Sequence, residues 1–158
     1  MIKIPENKTR KRLRITMCIF YLIQIYLCTC SYIYLPISEN ITENYLSVFG
    51  MLSYLGGSFP NVEGGQAFQA YIPFYFIFII IPVVGFFFCA LDKERNLKNI
   101  ASIICCLLGV VSILLIVTLN LICLGATIAL LLYVLTSFIT TIAMMARISN
   151  DPKKEEKK

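Results

Sequence analysis

Every lysine and arginine of this chain falls in one of three short stretches, and long uncharged apolar runs separate those stretches. The first holds Lys3, Lys8, Arg10, Lys11, Arg12 and Arg14, the second Lys93, Arg95 and Lys98, the third Arg147, Lys153, Lys154, Lys157 and Lys158. The charge-free runs between them are Ile15 to Ser38, Gly64 to Leu91 and Asn99 to Ala146. A helix needs roughly 20 residues to cross the hydrocarbon core of a bilayer. The first two runs therefore hold one span each, and the last, 48 residues long, holds a hairpin of two. This pattern predicts an all-α membrane protein, an antiparallel four-helix transmembrane bundle built as a single integral membrane domain over residues 1–158. The expected spans are Leu13 to Leu35, Tyr71 to Leu91, Ile100 to Leu119 and Leu124 to Ala146, with the last turn at Asn120 to Gly125.

Four crossings put the two ends and the central loop on one side. An excess of Lys and Arg in short loops marks that side as cytoplasmic, so both termini are expected there, including the tail Arg147 to Lys158. The outer side receives only Glu39, Glu43 and Glu63. A plasma membrane location, multi-pass, is the expectation. At 158 residues and 58% hydrophobic, with mean hydropathy +0.79, the chain carries more apolar side chain than a soluble interior of this size can hide. Its net charge of +5 belongs to a sided molecule that faces the lipid bilayer, each nearby Lys or Arg attracting anionic headgroups by about 1 kcal/mol. No nucleic acid is expected, since a folded basic surface is lacking and Glu155 and Glu156 interrupt the tail lysines.

Thirteen Leu, Ile and Val lie between Ile100 and Leu119, favouring insertion by roughly 4 to 8 kcal/mol before polar residues are subtracted. The first two spans are richer in aromatic rings, and Tyr32, Tyr34 and Tyr71 suit the headgroup level. Basic residues followed by an apolar run also begin a cleavable signal, but this run exceeds the usual core of about 7 to 15 residues and no A-x-A site follows. The run Leu27, Cys28, Thr29, Cys30 is similar to a lipoprotein signal ending in a lipidated Cys30, except that Thr29 stands where a small Gly, Ala or Ser is usual. An uncleaved first helix is the expectation. Pro82 and Gly85 fall inside the second span, where a bend is expected.

The outer loop Pro36 to Ala70 is the one sizeable segment outside the spans. Tyr45, Val48, Phe49, Leu52 and Leu55 recur at three- and four-residue steps, which predicts a short amphipathic helix on the outer leaflet or over the bundle mouth. Tyr45, Phe49 and Leu52 are its candidate partner surface. Gly56, Gly57, Pro60, Gly64 and Gly65 then break regular structure. Asn40, Ile41 and Thr42 form a glycosylation sequon, a short motif common by chance.

Apart from Arg14 at the very start of the first, no Asp, Glu, Lys, Arg or His lies inside an expected span, and proton coupling, ion relay and voltage sensing need such a group facing the bundle interior. Four-helix small multidrug transporters depend on an embedded acid that this chain lacks. The neutral polar residues form faces: Gln24 with Met17, Tyr21 and Cys28; Ser102, Cys105, Cys106, Gly109, Ser112 and Asn120; Ala126, Ala129, Tyr133, Thr136, Ser137 and Thr140. Close packing and interhelical hydrogen bonds, each about 0.6 kcal/mol, are the simpler role of such faces. A narrow polar path lined by Gln24, Asn120 and Thr140, flanked by Ser112 and Ser137, is the functional alternative.

Seven cysteines raise a redox question. Cys28, Cys30 and Cys123 approach the outer side and are the candidate thiols, but quinone-linked four-helix thiol oxidoreductases carry C-x-x-C where this chain has C-x-C. No outer cation is present to stabilise a thiolate. Without His or paired C-x-x-C, no metal site is expected, and no cofactor. Lacking an embedded carboxylate as well, the chain has no general base for Ser or Cys chemistry. In layout, with a large first outer loop and a tiny second, it resembles claudin-like tetraspans, without their tryptophan or paired loop cysteines. The sequence therefore points to a non-enzymatic accessory or assembly protein acting on a protein partner or on a second copy of itself. An oligomeric channel or facilitator comes second and a membrane thiol oxidoreductase third.

Overall fold

A computed structural model of the chain describes residues 6–57, 69–117 and 121–149. The first helix, α1 (Lys8–Leu27), starts where Asn7 leaves helical geometry and its side-chain oxygen accepts the Arg10 N–H at 2.9 Å. It begins earlier than the expected Leu13, because Lys and Arg are good helix formers and Asn7 is a favoured cap. It also ends short of Leu35. The N–H groups of Cys28, Thr29 and Cys30 fold back onto the carbonyls of Ile25, Tyr26 and Leu27, tightening the last turn, and the Thr29 hydroxyl adds a 2.7 Å bond to Tyr26.

Extended chain follows as β1 (Ile33–Tyr34), then a 3-10 turn at Ile41–Asn44, β2 (Tyr45–Leu46) and the short helix α2 (Val48–Leu52). A second 3-10 turn, Ile72–Tyr75, runs into α3 (Phe76–Leu91), followed by α4 (Leu97–Ile116), β3 (Leu121–Ile122) and α5 (Leu124–Ser149). The strands form one antiparallel sheet in the order β2-β1-β3. Among the described residues three helical segments, Gln69–Leu91, Leu97–Ile116 and Leu124–Ile148, are long and apolar enough to cross a membrane. Helix α1 differs in carrying Lys8, Arg10, Lys11, Arg12 and Arg14 within the helix itself.

Helices α1 and α4 each pack against both α3 and α5, closing a ring of four. The contact faces are the small and polar ones: Met17, Tyr21 and Gln24 of α1, Ser102, Cys106 and Gly109 of α4, and Ala126, Ala129, Thr136 and Thr140 of α5 are all buried. Two tyrosine rings decide how closely neighbours approach. A Cβ added at Gly85 of α3 would clash with the Tyr21 ring, and one at Gly109 of α4 would lie 2.5 Å from the Tyr133 ring. The Tyr21 hydroxyl then reaches the Ser102 carbonyl on a third helix at 3.4 Å.

Pro82 lies within α3, and its missing N–H leaves the Phe78 carbonyl without its helical donor. The Cys28 thiol of α1 lies 3.4 Å from that carbonyl and an equal distance from the Gln24 carbonyl of its own helix, with one proton for the two. A cysteine opposite a proline thus meets an acceptor that the proline created.

Because overpacking of a fitted contact costs about 1–3 kcal/mol, Gly85→Ala and Gly109→Ala are each expected to destabilise the protein by that amount in thermal unfolding in detergent. Gly57→Ala, where an added Cβ meets only the Tyr54 carbonyl at 4.0 Å, is expected to leave the unfolding midpoint nearly unchanged.

Candidate interaction surface

The two ends of the helix ring are chemically unlike. At one end sits the small sheet. Ile33 pairs with Leu46 and Ile122, and Tyr34 with Tyr45 and Leu121, so β1 is the centre strand between two distant parts of the chain. Flanking backbone bonds extend the pairing: Tyr32 to Leu46 at 2.8 Å, Leu35 to Asn44 at 2.8 Å, Cys123 to Tyr32 at 3.3 Å and Gly125 to Ser31 at 2.9 Å. Gly125 is required at that last contact, since a Cβ there would lie 2.5 Å from the Ser31 carbonyl oxygen.

Asn44 organises the loop. Its side-chain oxygen accepts the N–H groups of Ile37 and Ser38 at 2.9 and 2.8 Å, and its amide donates to the Ser38 carbonyl at 3.0 Å. Ser47 then caps α2 by accepting the Gly50 N–H at 2.9 Å. Beneath the sheet Tyr32, Ile33, Leu35, Val48, Met51, Ile72, Tyr75 and Phe78 make a buried cluster, with the Tyr32 and Tyr75 rings 5.1 and 5.5 Å from Phe78.

Strand alternation sends Ile33 inward and Tyr34 outward. Tyr34 meets Tyr45 edge to face at 5.1 Å, and beside them Ile41, Ile122 and Leu124 remain 66, 47 and 73% exposed. Together with Ser31 and Cys123 they line a groove of about 740 Å³. Glu39 and Glu43 are exposed in the same loop.

The expected outer helix is revised by this arrangement. Tyr45 belongs to β2, because pairing with Tyr34 competes with the helical register, and only Val48–Leu52 is helical. Phe49 is half exposed and Leu52 partly buried, while Val48 and Met51 face the cluster. Of the expected partner surface, Tyr45 lines the groove; Phe49 and Leu52 do not. Sequence reasoning passed over Tyr34, Ile41, Ile122 and Leu124. The available signal was the isolated apolar Ile41 and Tyr45 on either side of the turn-forming Asn44.

At the opposite end, cations turn inward. The Glu6 carboxylate accepts hydrogen bonds from Arg14 at 2.9 and 3.3 Å and from Lys98 at 3.2 Å, and Lys98 also donates to the Lys93 carbonyl at 3.2 Å. Arg14 reaches the Cys89 carbonyl at 3.4 Å, and Arg147 the Glu94 carbonyl at 2.9 Å. Arg10, Lys98 and Arg147 are buried. Burial raises the Glu6 carboxyl, but the hydrogen bonds and charges of Arg14 and Lys98 outweigh it and hold the group below its ordinary value of 4.5.

The remaining sequence candidates are scattered. Gln24 is 2% exposed, and neither atom of its amide has a hydrogen-bond partner among the described residues. The Thr140 hydroxyl donates to the Thr136 carbonyl of its own helix at 2.7 Å or toward the Met17 sulfur at 3.2 Å. Ser137 bonds the Val134 carbonyl at 2.7 Å, Ser112 is half buried, and Asn120 lies outside the described residues. Cys28, Cys30 and Cys123 are not joined in disulfides among the described residues, and burial raises the Cys123 thiol above its ordinary 9.0, opposite to what a nucleophilic thiolate needs.

The helices and their apolar surfaces define an integral membrane protein. No family model matches the chain, and no curated protein or solved structure is significantly similar to it.

Two outcomes follow from these ends. Asn44→Ala removes the acceptor shared by the part-buried Ile37 and Ser38 N–H groups, of which Ile37 keeps the Leu35 carbonyl, at a cost of about 1 kcal/mol, and is expected to raise hydrogen exchange selectively at Ser38 and the β1–β2 pair. A depressed folded-state pKa at Glu6 means that its stabilisation is present above 4.5 and is lost as pH falls through the lower folded value. The difference in unfolding midpoint between wild type and Glu6→Gln should therefore be full near neutrality and close in acid.

Proposed function

We propose that the chain is a four-span, multi-pass membrane protein with its basic end in the cytoplasm, in the plasma membrane, and that it serves as a non-enzymatic accessory or assembly protein. Support for α1 as the fourth span comes from its uncovered face, where Ile15, Ile19, Leu22, Ile23 and Tyr26 are exposed as the apolar residues of α3, α4 and α5 are. The orientation is supported by the collection of Lys and Arg at the end opposite the sheet.

The observation that carries the accessory role is the outer groove. Ile41, Tyr45, Ile122 and Leu124 gather around the hydrogen-bonded sheet and are left uncovered. Large exposed apolar residues gathered in one concavity mark an interaction site. Glu39 and Glu43 beside it favour a partner that brings a basic rim.

A photoreactive side chain at position 45 or 122 is expected to crosslink one protein, and Ile41→Asp with Tyr45→Asp to abolish the product. A second copy of this chain would add 17.9 kDa to the band. The same product from a probe at Leu107, on the lipid side of α4, would defeat the proposal. The unpartnered amide of Gln24 favours the channel as second reading. In that case Gln24→Leu would abolish flux through reconstituted vesicles, whereas the accessory role predicts unchanged crosslinking in that variant.

A further inference from the structure

The turn between α3 and α4 carries a second concavity, of about 520 Å³, lined by apolar residues of the two helices and by charged residues of the turn. Its floor is apolar: Phe87, Phe88, Leu91 and Leu97 are 55, 36, 78 and 40% exposed. Its rim is charged, formed by Asp92, Lys93, Glu94 and Arg95. Those two halves sit where a spanning helix leaves hydrocarbon and enters the headgroup layer.

The rim charges are not equivalent. The two oxygens of Asp92 accept the backbone N–H groups of Arg95 and Lys98 at 2.8 and 2.9 Å, so this carboxylate is committed to holding the turn. The Glu94 carbonyl is tied to Arg147. Lys93 and Arg95 form no side-chain hydrogen bond or ion pair among the described residues, and both are exposed. With them counted, nine described cations at this end face three described carboxylates, Glu6, Asp92 and Glu94. The field at the rim therefore favours an anion, and the floor favours a hydrocarbon chain.

We propose that this groove is a binding site for an acidic phospholipid of the adjoining leaflet, its phosphate between Lys93 and Arg95 and an acyl chain along Phe87, Phe88, Leu91 and Leu97. The proposal rests on α3 and α4 crossing the membrane and is independent of the partner at the sheet end. A free phosphate would use the rim and leave the floor bare. A phospholipid uses both, and exposed basic residues near a membrane surface each contribute about fivefold in affinity for anionic lipid.

The test uses the full chain in nanodiscs of phosphatidylcholine with a minor fraction of phosphatidylglycerol, the lipids retained on gentle release being counted by native mass spectrometry. Phosphatidylglycerol is expected to be retained over phosphatidylcholine, and Lys93→Gln with Arg95→Gln to lower that selectivity by about fivefold or more. Lys11→Gln with Arg12→Gln, the same charge change at exposed positions of α1, is expected to preserve it. Equal loss in both double variants would mean diffuse attraction. Equal retention of the two lipids would mean no headgroup selection, and displacement by inorganic phosphate a rim-only ion site. Any of these overturns the proposal, while photocrosslinking at the sheet end stays unaffected.

Discussion

Between helices surrounded by lipid there is no water to expel, so attraction has to come from fit, and in this protein fit means two tyrosine rings laid on two glycines. Tyr21 covers Gly85 where α1 meets α3, and Tyr133 covers Gly109 where α4 meets α5. The two contacts lie on opposite sides of the ring. Each joins two long helices that are neighbours in sequence, once with the ring on the earlier helix and once on the later. What remains is the seam between these pairs, which α4 closes on α3 and α5 on α1. There the residues are small or bear hydroxyls and thiols: Ser102, Cys89, Cys106, Thr136 and Thr140.

Polar atoms along that seam are mostly satisfied close to home. Thr136 and Thr140 donate to carbonyls one turn back, at 2.6 and 2.7 Å, so their hydroxyls need nothing from across the interface. The Tyr21 hydroxyl lies near the Ser102 carbonyl and the Cys106 sulfur, and the Cys89 sulfur lies 3.2 Å from the Ser102 hydroxyl. Gln24 is the contrast, with a buried amide unpartnered among the described residues. The charged groups obey the same rule at the basic end, where Glu6 collects Arg14 and Lys98 and so keeps an inward lysine compensated.

How much of this could be read from the sequence depends on whether a feature repeats. Uncharged runs and the small-residue faces recur over twenty or more residues, and the helices α3, α4 and α5 lie close to where those runs put them. The sheet has no such signal. Each strand has two residues, β3 lies far from β1 in the chain, and Ile33 and Tyr34 continue an apolar run that looks like more helix. For the same reason Tyr45 fell into a helical stripe although its neighbours pair as strand. The start of α1 was legible in Asn7, a favoured cap, but six basic residues nearby read as a flank. That Arg14, Lys98 and Arg147 turn inward depends on Glu6 and backbone carbonyls meeting them across the fold, a matter of geometry that no spacing in the chain records.

The placement of β1 has a consequence for how the molecule is made. Its partner β2 follows in the same loop, after residues 35–44, but its other edge waits for β3, which leaves the ribosome only after α3 and α4 have been synthesised. Until then the inner strand of the finished sheet is an open edge, with unpaired backbone groups on its free side. The β3 residues stand directly before α5, and the Gly125 N–H closes onto Ser31 at the same place. The surface at the sheet end is therefore complete only when the final helix is seated, and any partner that reads Tyr45 together with Ile122 would bind finished molecules and pass over nascent ones.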